Sequence, residues 1–175
     1  MLNAAGVQYD AQRPQVDEDE LKARVSDPER IALELVSAKA RSVDGEWVIG
    51  SDSVVSVAGQ RFSKPRDREQ AAEHLRFFSG QQMTLTSAVA IARSGELDWV
   101  HAETATLHVR RLSDDFIASY LDAEWPEVGY CVGVFRLEAR GVQLFERIDG
   151  DYFTILGMPL LPLLGALRER RLLAS

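Results

Sequence analysis

Ile31, Leu35 and Ala38 recur at helical spacing and predict a helix that runs to Arg41. Asp27 is placed to cap it, and Pro28 suits its first turn. Upstream, through Glu20, the pattern reads as a fragment of helix followed by an irregular acidic segment, Val16-Asp17-Glu18-Asp19-Glu20. Downstream, Trp47-Val48-Ile49-Gly50 and Ser53-Val54-Val55-Ser56-Val57 predict a buried strand that ends at the carboxylate between them, Asp52. A turn through Gly59 leads to Ser63-Lys64-Pro65. A second amphipathic helix follows from about Asp67 to Phe78, with Ala71, Leu75 and Phe78 as its apolar stripe and Ser79-Gly80 as its stop.

Two strands come next, Met83 to Ala92 and Trp99 to Val109, joined at Ser94-Gly95-Glu96. Ser113 predicts the cap of a short helix to Leu121 that turns Phe116, Ile117 and Tyr120 inward. Val134 to Glu138 and Val142 to Ile148 read as further strands on either side of Ala139-Arg140-Gly141. Leu160, Leu163, Leu164 and Leu167 then mark a final helix with arginines at its C-terminal end. Helices and strands alternate without repeats or a linker, so the chain reads as one α/β domain.

Composition narrows the classes. With 175 residues, 46% hydrophobic and 27% charged, the chain can bury a continuous core. The longest apolar stretch, Ile155 to Leu164, holds one glycine and two prolines and is too short for a membrane span. Met1 to Gly6 carries no secretory pattern, which makes the cytoplasm the expected compartment. The net charge of −7 disfavours a partner such as long nucleic acid, whereas a small anion needs only a local cluster of cations. A single cysteine, Cys131, closes no internal disulfide.

Candidate chemistry lies in short segments around Glu18, Lys39, Asp52, Lys64, Glu138 and Asp151. Singly, each has an ordinary reading: Asp52 as a turn residue, Lys39 as a solvated helix lysine, Lys64 as an exposed turn lysine, Glu138 as an exposed strand end. In this order and at these intervals, however, Asp52-Ser53-Val54-Val55, Ser63-Lys64-Pro65, Gly150-Asp151-Tyr152 and Gly157-Met158-Pro159-Leu160 resemble the Maf-like nucleotide pyrophosphatases, over essentially the whole chain. The resemblance implies an elongated mixed sheet with flanking helices, two lobes around a cleft, and often a dimer. It also implies hydrolysis of a nucleoside triphosphate to monophosphate and pyrophosphate with a divalent cation.

That reaction needs a positioned water, a carboxylate to take its proton or hold a metal, and cations on the phosphates. On this basis Asp52 is the expected general base or metal-bound activator and Glu18 a second acid near the cation, with the two carboxylate roles exchangeable. Lys39 and Lys64 are expected on the phosphates, with Ser53 beside the substrate. Hard oxygen donors suit magnesium or manganese.

Glu138, in Phe135-Arg136-Leu137-Glu138, resembles the glutamate of the branch that acts on 7-methylguanosine triphosphate. An ionised carboxylate only accepts hydrogen bonds, and guanine offers two adjacent donors. Ser53 matches neither the threonine nor the glutamine usual after the aspartate. The family's opening strand and its Ser-x-Ser-Pro-Arg-Arg-like loop have no counterpart, and Met1 to Gly6 resembles the segment just after that loop. A single Maf-like domain that starts late and binds triphosphate weakly is therefore expected. Two rival readings follow: a catalytically impaired nucleotide-binding regulator of cell division, in keeping with the family's link to septum formation, and an interaction protein completed by a partner's strand.

Overall fold

Asp17, Asp27, Asp67, Ser113 and Asp151 each accept a backbone N–H from the first turn of the helix they precede, so five helix starts are set by short polar side chains. The computed structural model describes residues 1–174. After a 3-10 turn at Asn3–Ala5, the elements are α1 (Glu18–Arg24), α2 (Pro28–Arg41), β1 (Trp47–Val57), β2 (Gln60–Phe62), α3 (Arg68–Phe78), β3 (Gln82–Arg93), β4 (Glu96–Val109), α4 (Asp114–Glu124), β5 (Phe145–Asp149), α5 (Tyr152–Ile155) and α6 (Leu160–Glu169).

The strands form one sheet in the order β2-β1-β3-β4-β5. β1 pairs antiparallel with β2, and β4 with β5. The Ser94 amide donates to Glu46 O, while Ser53 Oγ meets Ser87 Oγ. Residue numbers thus rise on β1 as they fall on β3, which makes that pair antiparallel as well, and the two-residue link between β3 and β4 permits no other direction. The expected α/β class with flanking helices is borne out, and the sheet itself is antiparallel.

The chain divides into two compact units. The first comprises Met1–Ser53, Thr86–Thr104 and the residues from Asp151 onward; the second comprises Val54–Leu85 and Ala105–Gly150. In the first unit, side chains alternate across the sheet. Trp47, Ile49, Val89, Ile91 and Trp99 pack with Leu160, Leu163 and Leu167 of α6 in one apolar cluster. Gly50 faces the other way, onto α2, whose Ile31, Ala32, Leu35, Val36 and Ala40 are buried. The second unit packs α3 on α4. Arg76 Nε pairs with Asp114 at 2.7 Å, Arg68 reaches Asp122, and Phe62 of β2 meets the Phe78 ring edge-on.

Four expectations are corrected. The acidic segment is not irregular: Asp17 caps α1, and Glu18, Asp19 and Glu20 form its first turn, where negative charge complements the helix dipole. The strand does not end at Asp52 but continues to Val57, so Asp52 projects from its middle. The expected turn at Gly59 is present, as a hairpin into β2. Val134–Glu138 is not a strand. Val134 takes a left-handed backbone (φ 56°), and its carbonyl accepts the buried Tyr120 hydroxyl at 3.0 Å, so these apolar residues enter the core from a loop. The strand after it begins only at Phe145, preceded by a 3-10 turn over Arg140–Leu144.

Candidate active site

α2 and β1 cross at Gly50, where a Cβ would lie 2.5 Å from Val36 O and 2.9 Å from the Ala40 amide nitrogen. This close approach brings Lys39, next to Ala40 on α2, onto the face of β1 that carries Asp52. Lys39 Nζ lies 3.3 Å from Asp52 Oδ1 and 2.7 Å from Glu18 Oε1. Glu18 Oε2 accepts from Lys22 Nζ at 2.7 Å, one turn further along α1. Lys39 is largely covered, its side chain 13% exposed, and Asp52 Oδ2 is buried with no hydrogen-bond partner.

Partial burial opposes ionisation of Glu18, but hydrogen bonds from Lys22 and Lys39 and the charges of both lysines overcome it and hold the carboxyl at about 2. Burial likewise opposes the Lys39 ammonium, which Glu18 and Asp52 nevertheless hold above its ordinary value. Because the folded Glu18 pKa lies below its ordinary 4.5, the stability it contributes is present above that pH and is lost as pH falls toward 2. For Lys39 the sign reverses: its contribution is present below 10.5 and is lost as pH rises through the higher folded value. Glu18→Gln is therefore expected to melt below the wild type at pH 7, by a margin that shrinks between pH 4.5 and 2. Thermal melts across that range check this, and a constant margin would show that the carboxylate is not what stabilises the cluster.

The opposite face of β1 carries Ser51 and Ser53. Ser51 Oγ donates to Gly157 O at 2.9 Å, and Ser53 Oγ lies 2.7 Å from Ser87 Oγ. Ser87, fully buried, donates its one proton to Thr154 O at 2.7 Å, so in the Ser53–Ser87 pair Ser53 is the donor. Thr154 Oγ1 in turn donates to Glu103 Oε2 at 2.6 Å. These bonds tie α5 and the turn at Gly157 (φ 107°) to the strand that bears Asp52.

In the second unit, Lys64 follows β2 and is exposed, while Glu138 lies in the loop before the Arg140–Leu144 turn, with Arg136 Nε 3.5 Å from its Oε1. Burial pushes the Cys131 thiol up, and so does the charge of Glu138, while Arg136 and Lys64 oppose the shift. All three charged groups thus lie in the neighbourhood of this thiol.

Of the six residues expected at the site, Glu18, Lys39, Asp52 and Ser53 fall in the first unit and Lys64 and Glu138 in the second. Lys22, Ser87 and Arg136 were not anticipated. The four-residue spacing from Glu18 to Lys22 would have shown the first had the acidic segment been read as helix. A serine in the middle of an apolar strand is the signal for the second. His101 pairs with Glu103, His108 with Asp149, and His74 packs edge-on against Phe62, so the histidines belong to neither cluster. Among the described residues no group of three or more His, Cys, Asp or Glu converges on one point.

The family model described as "Maf-like protein" matches residues 1–170. The chain is similar to a 7-methyl-GTP pyrophosphatase of Rhizobium meliloti (strain 1021), 44% identical over 97% of this chain and 89% of the relative. A protein of the same name from Rhizobium etli is 42% identical over the same shares. A nucleoside triphosphate pyrophosphatase of Granulibacter bethesdensis is 41% identical over 99% of this chain and 92% of its own length.

Proposed function

The chain belongs to the Maf-like family, and from that premise we propose that it is a nucleoside triphosphate pyrophosphatase that favours a guanine nucleotide, 7-methyl-GTP foremost. The observation that carries the chemistry is Asp52. One of its oxygens is engaged by Lys39, and the other is buried without a partner, an expensive state for a carboxylate oxygen unless a water or a ligand meets it.

In the proposed reaction, a water held by Asp52 Oδ2 gives its proton to that carboxylate and attacks the α-phosphorus. The bond from the α-phosphorus to the bridging oxygen breaks, and pyrophosphate leaves. Lys39 and Lys64 offset the charge that builds on the phosphate oxygens. Ser51, Ser53 and Ser87 hold the Gly157 turn against the strand, which fixes Asp52 from behind. A hard divalent cation would be held by the unpartnered Asp52 oxygen and by Glu18, whose two oxygens Lys39 and Lys22 engage here; with the cation bound, Asp52 would act as metal-bound activator in place of general base. When bound, magnesium or manganese neutralises triphosphate charge and makes water a better nucleophile.

Glu138 is the proposed base reader. Its carboxylate can accept both donors of guanine's Watson–Crick edge, and the positive charge that N7 methylation adds favours an acidic neighbour. Arg136 Nε lies 3.5 Å from its Oε1. The support comes from the relatives whose names carry 7-methyl-GTP. Pyrophosphate release measured on 7-methyl-GTP, GTP, UTP and dTTP tests the reading. Glu138→Gln is expected to lower kcat/KM for 7-methyl-GTP by about tenfold or more while changing UTP hydrolysis far less. Faster hydrolysis of UTP or dTTP than of 7-methyl-GTP by the wild type would refute the guanine preference.

A further inference from the structure

Lys39 stands where a metal ion would be expected. Its ammonium lies between Glu18 Oε1 at 2.7 Å and Asp52 Oδ1 at 3.3 Å, in a largely covered position, and Lys22 closes the other Glu18 oxygen at 2.7 Å. Two carboxylates and two ammonium groups leave the cluster with no net formal charge. A free divalent ion approaching Asp52 Oδ2 therefore finds no excess of negative charge to draw it in. It would also have to share Asp52 with an ammonium a few ångströms away, in surroundings where charges are poorly screened. A triphosphate changes both terms: it brings several negative charges, and it offers Lys39 oxygen acceptors in exchange for the two carboxylates.

We infer that Lys39 is an internal cation that keeps a free divalent ion off the Asp52–Glu18 pair, and that the ion enters only with the triphosphate, onto which the Lys39 ammonium moves. The inference rests on the proposed roles of Asp52 and Glu18 as the residues that hold the cation. It gives the enzyme a reason not to fill its site with metal before substrate arrives, and it makes cation and nucleotide binding mutually dependent.

Two binding measurements on the full chain test this without recourse to turnover. In the first, Mn2+ is titrated in the absence of nucleotide and the free ion is followed by electron paramagnetic resonance. The wild type and Lys39→Arg, which keeps the charge, are expected to bind it weakly. Lys39→Met is expected to bind it about tenfold or more tightly than the wild type, a gain of about 1.4 kcal/mol per factor of ten, and to lose that gain when Asp52→Asn is added.

In the second, a non-hydrolysable α,β-methylene guanosine triphosphate is titrated by calorimetry with and without Mn2+. Its affinity for the wild type is expected to rise about tenfold or more with the metal, and the rise is expected to vanish in Asp52→Asn. Tight Mn2+ binding by nucleotide-free wild type overturns the inference, and that arm needs no variant to fold. So does a Lys39→Met protein that melts cooperatively yet binds Mn2+ no better. If Asp52→Asn abolishes the metal-dependent gain while Lys39→Met gains nothing, the inference alone fails. If Asp52→Asn leaves the metal-dependent gain intact, the assignment of Asp52 to the cation fails first and takes the inference with it.

Discussion

Asp52→Asn is expected to cut pyrophosphate release by about 100- to 10,000-fold, the usual worth of a positioned base, while changing stability by less than about 1 kcal/mol. The two effects separate because of how Asp52 is held. Asparagine has nearly the same shape, so β1 keeps its register and Ser51 and Ser53 keep their bonds to Gly157 and Ser87 on the other face. Lys39 loses one partner but retains Glu18 at 2.7 Å. The buried, unpartnered oxygen contributes little to the fold as it stands, and a carboxylate kept there at a cost in desolvation points to a group retained for its chemistry. A neutral amide cannot take a proton from water at pH 7 and offers a cation a weaker donor. Pyrophosphate release at saturating 7-methyl-GTP, with a thermal melt of the same sample, checks both halves. A variant that keeps more than a tenth of the wild-type rate would remove Asp52 from the chemistry.

Where the sequence was readable, a local rule and the tertiary structure agreed. Asp27 and Pro28 open α2, Asp67 opens α3, Ser113 opens α4, and the leucines of α6 face the sheet at their predicted spacing. Where it was not, two rules competed. Acidic residues in a row suggested a solvated irregular segment, yet the same residues are the favoured first turn of a helix, with Glu18 and Glu20 each four positions ahead of a cation. Val134 and Phe135 are buried as a strand would bury them. The backbone there is nevertheless a loop, stabilised by the Tyr120 hydroxyl, and apolar periodicity carries no information about such a side-chain bond.

The site shows the same division. That Asp52 and Lys39 carry chemistry came from motif order, through resemblance. That Lys39 bridges two carboxylates 13 and 21 positions away along the chain is a contact between separate elements, and no local pattern encodes it. The serine clamp was hidden for a related reason. Ser87 lies among apolar residues of β3, and its role rests on its burial beside Thr154 O, a contact between separate segments of the chain.

The contact that makes the cluster possible is testable through a residue without a side chain. Gly50→Ala is expected to destabilise the protein by about 2–4 kcal/mol and to depress activity in the fraction that remains folded. The new methyl would sit 2.5 Å from Val36 O and 2.9 Å from the Ala40 nitrogen, both backbone atoms of α2, so no rotamer change can relieve the clash and the helix must back away from the strand. Lys39 moves with Ala40, while Asp52 stays with β1, so the 3.3 Å contact between them lengthens as the helix retreats. Gly95→Ala is the control. That glycine has a left-handed backbone (φ 84°), and nothing lies within 4 Å of its would-be Cβ, so its cost is backbone strain alone, about 1 kcal/mol. Urea midpoints and pyrophosphate release on both variants separate the two cases. Gly95→Ala should lose stability and keep its kcat, whereas Gly50→Ala should lose both. A Gly50→Ala protein as stable as the wild type would mean that the close helix–strand approach is not what brings lysine and aspartate together.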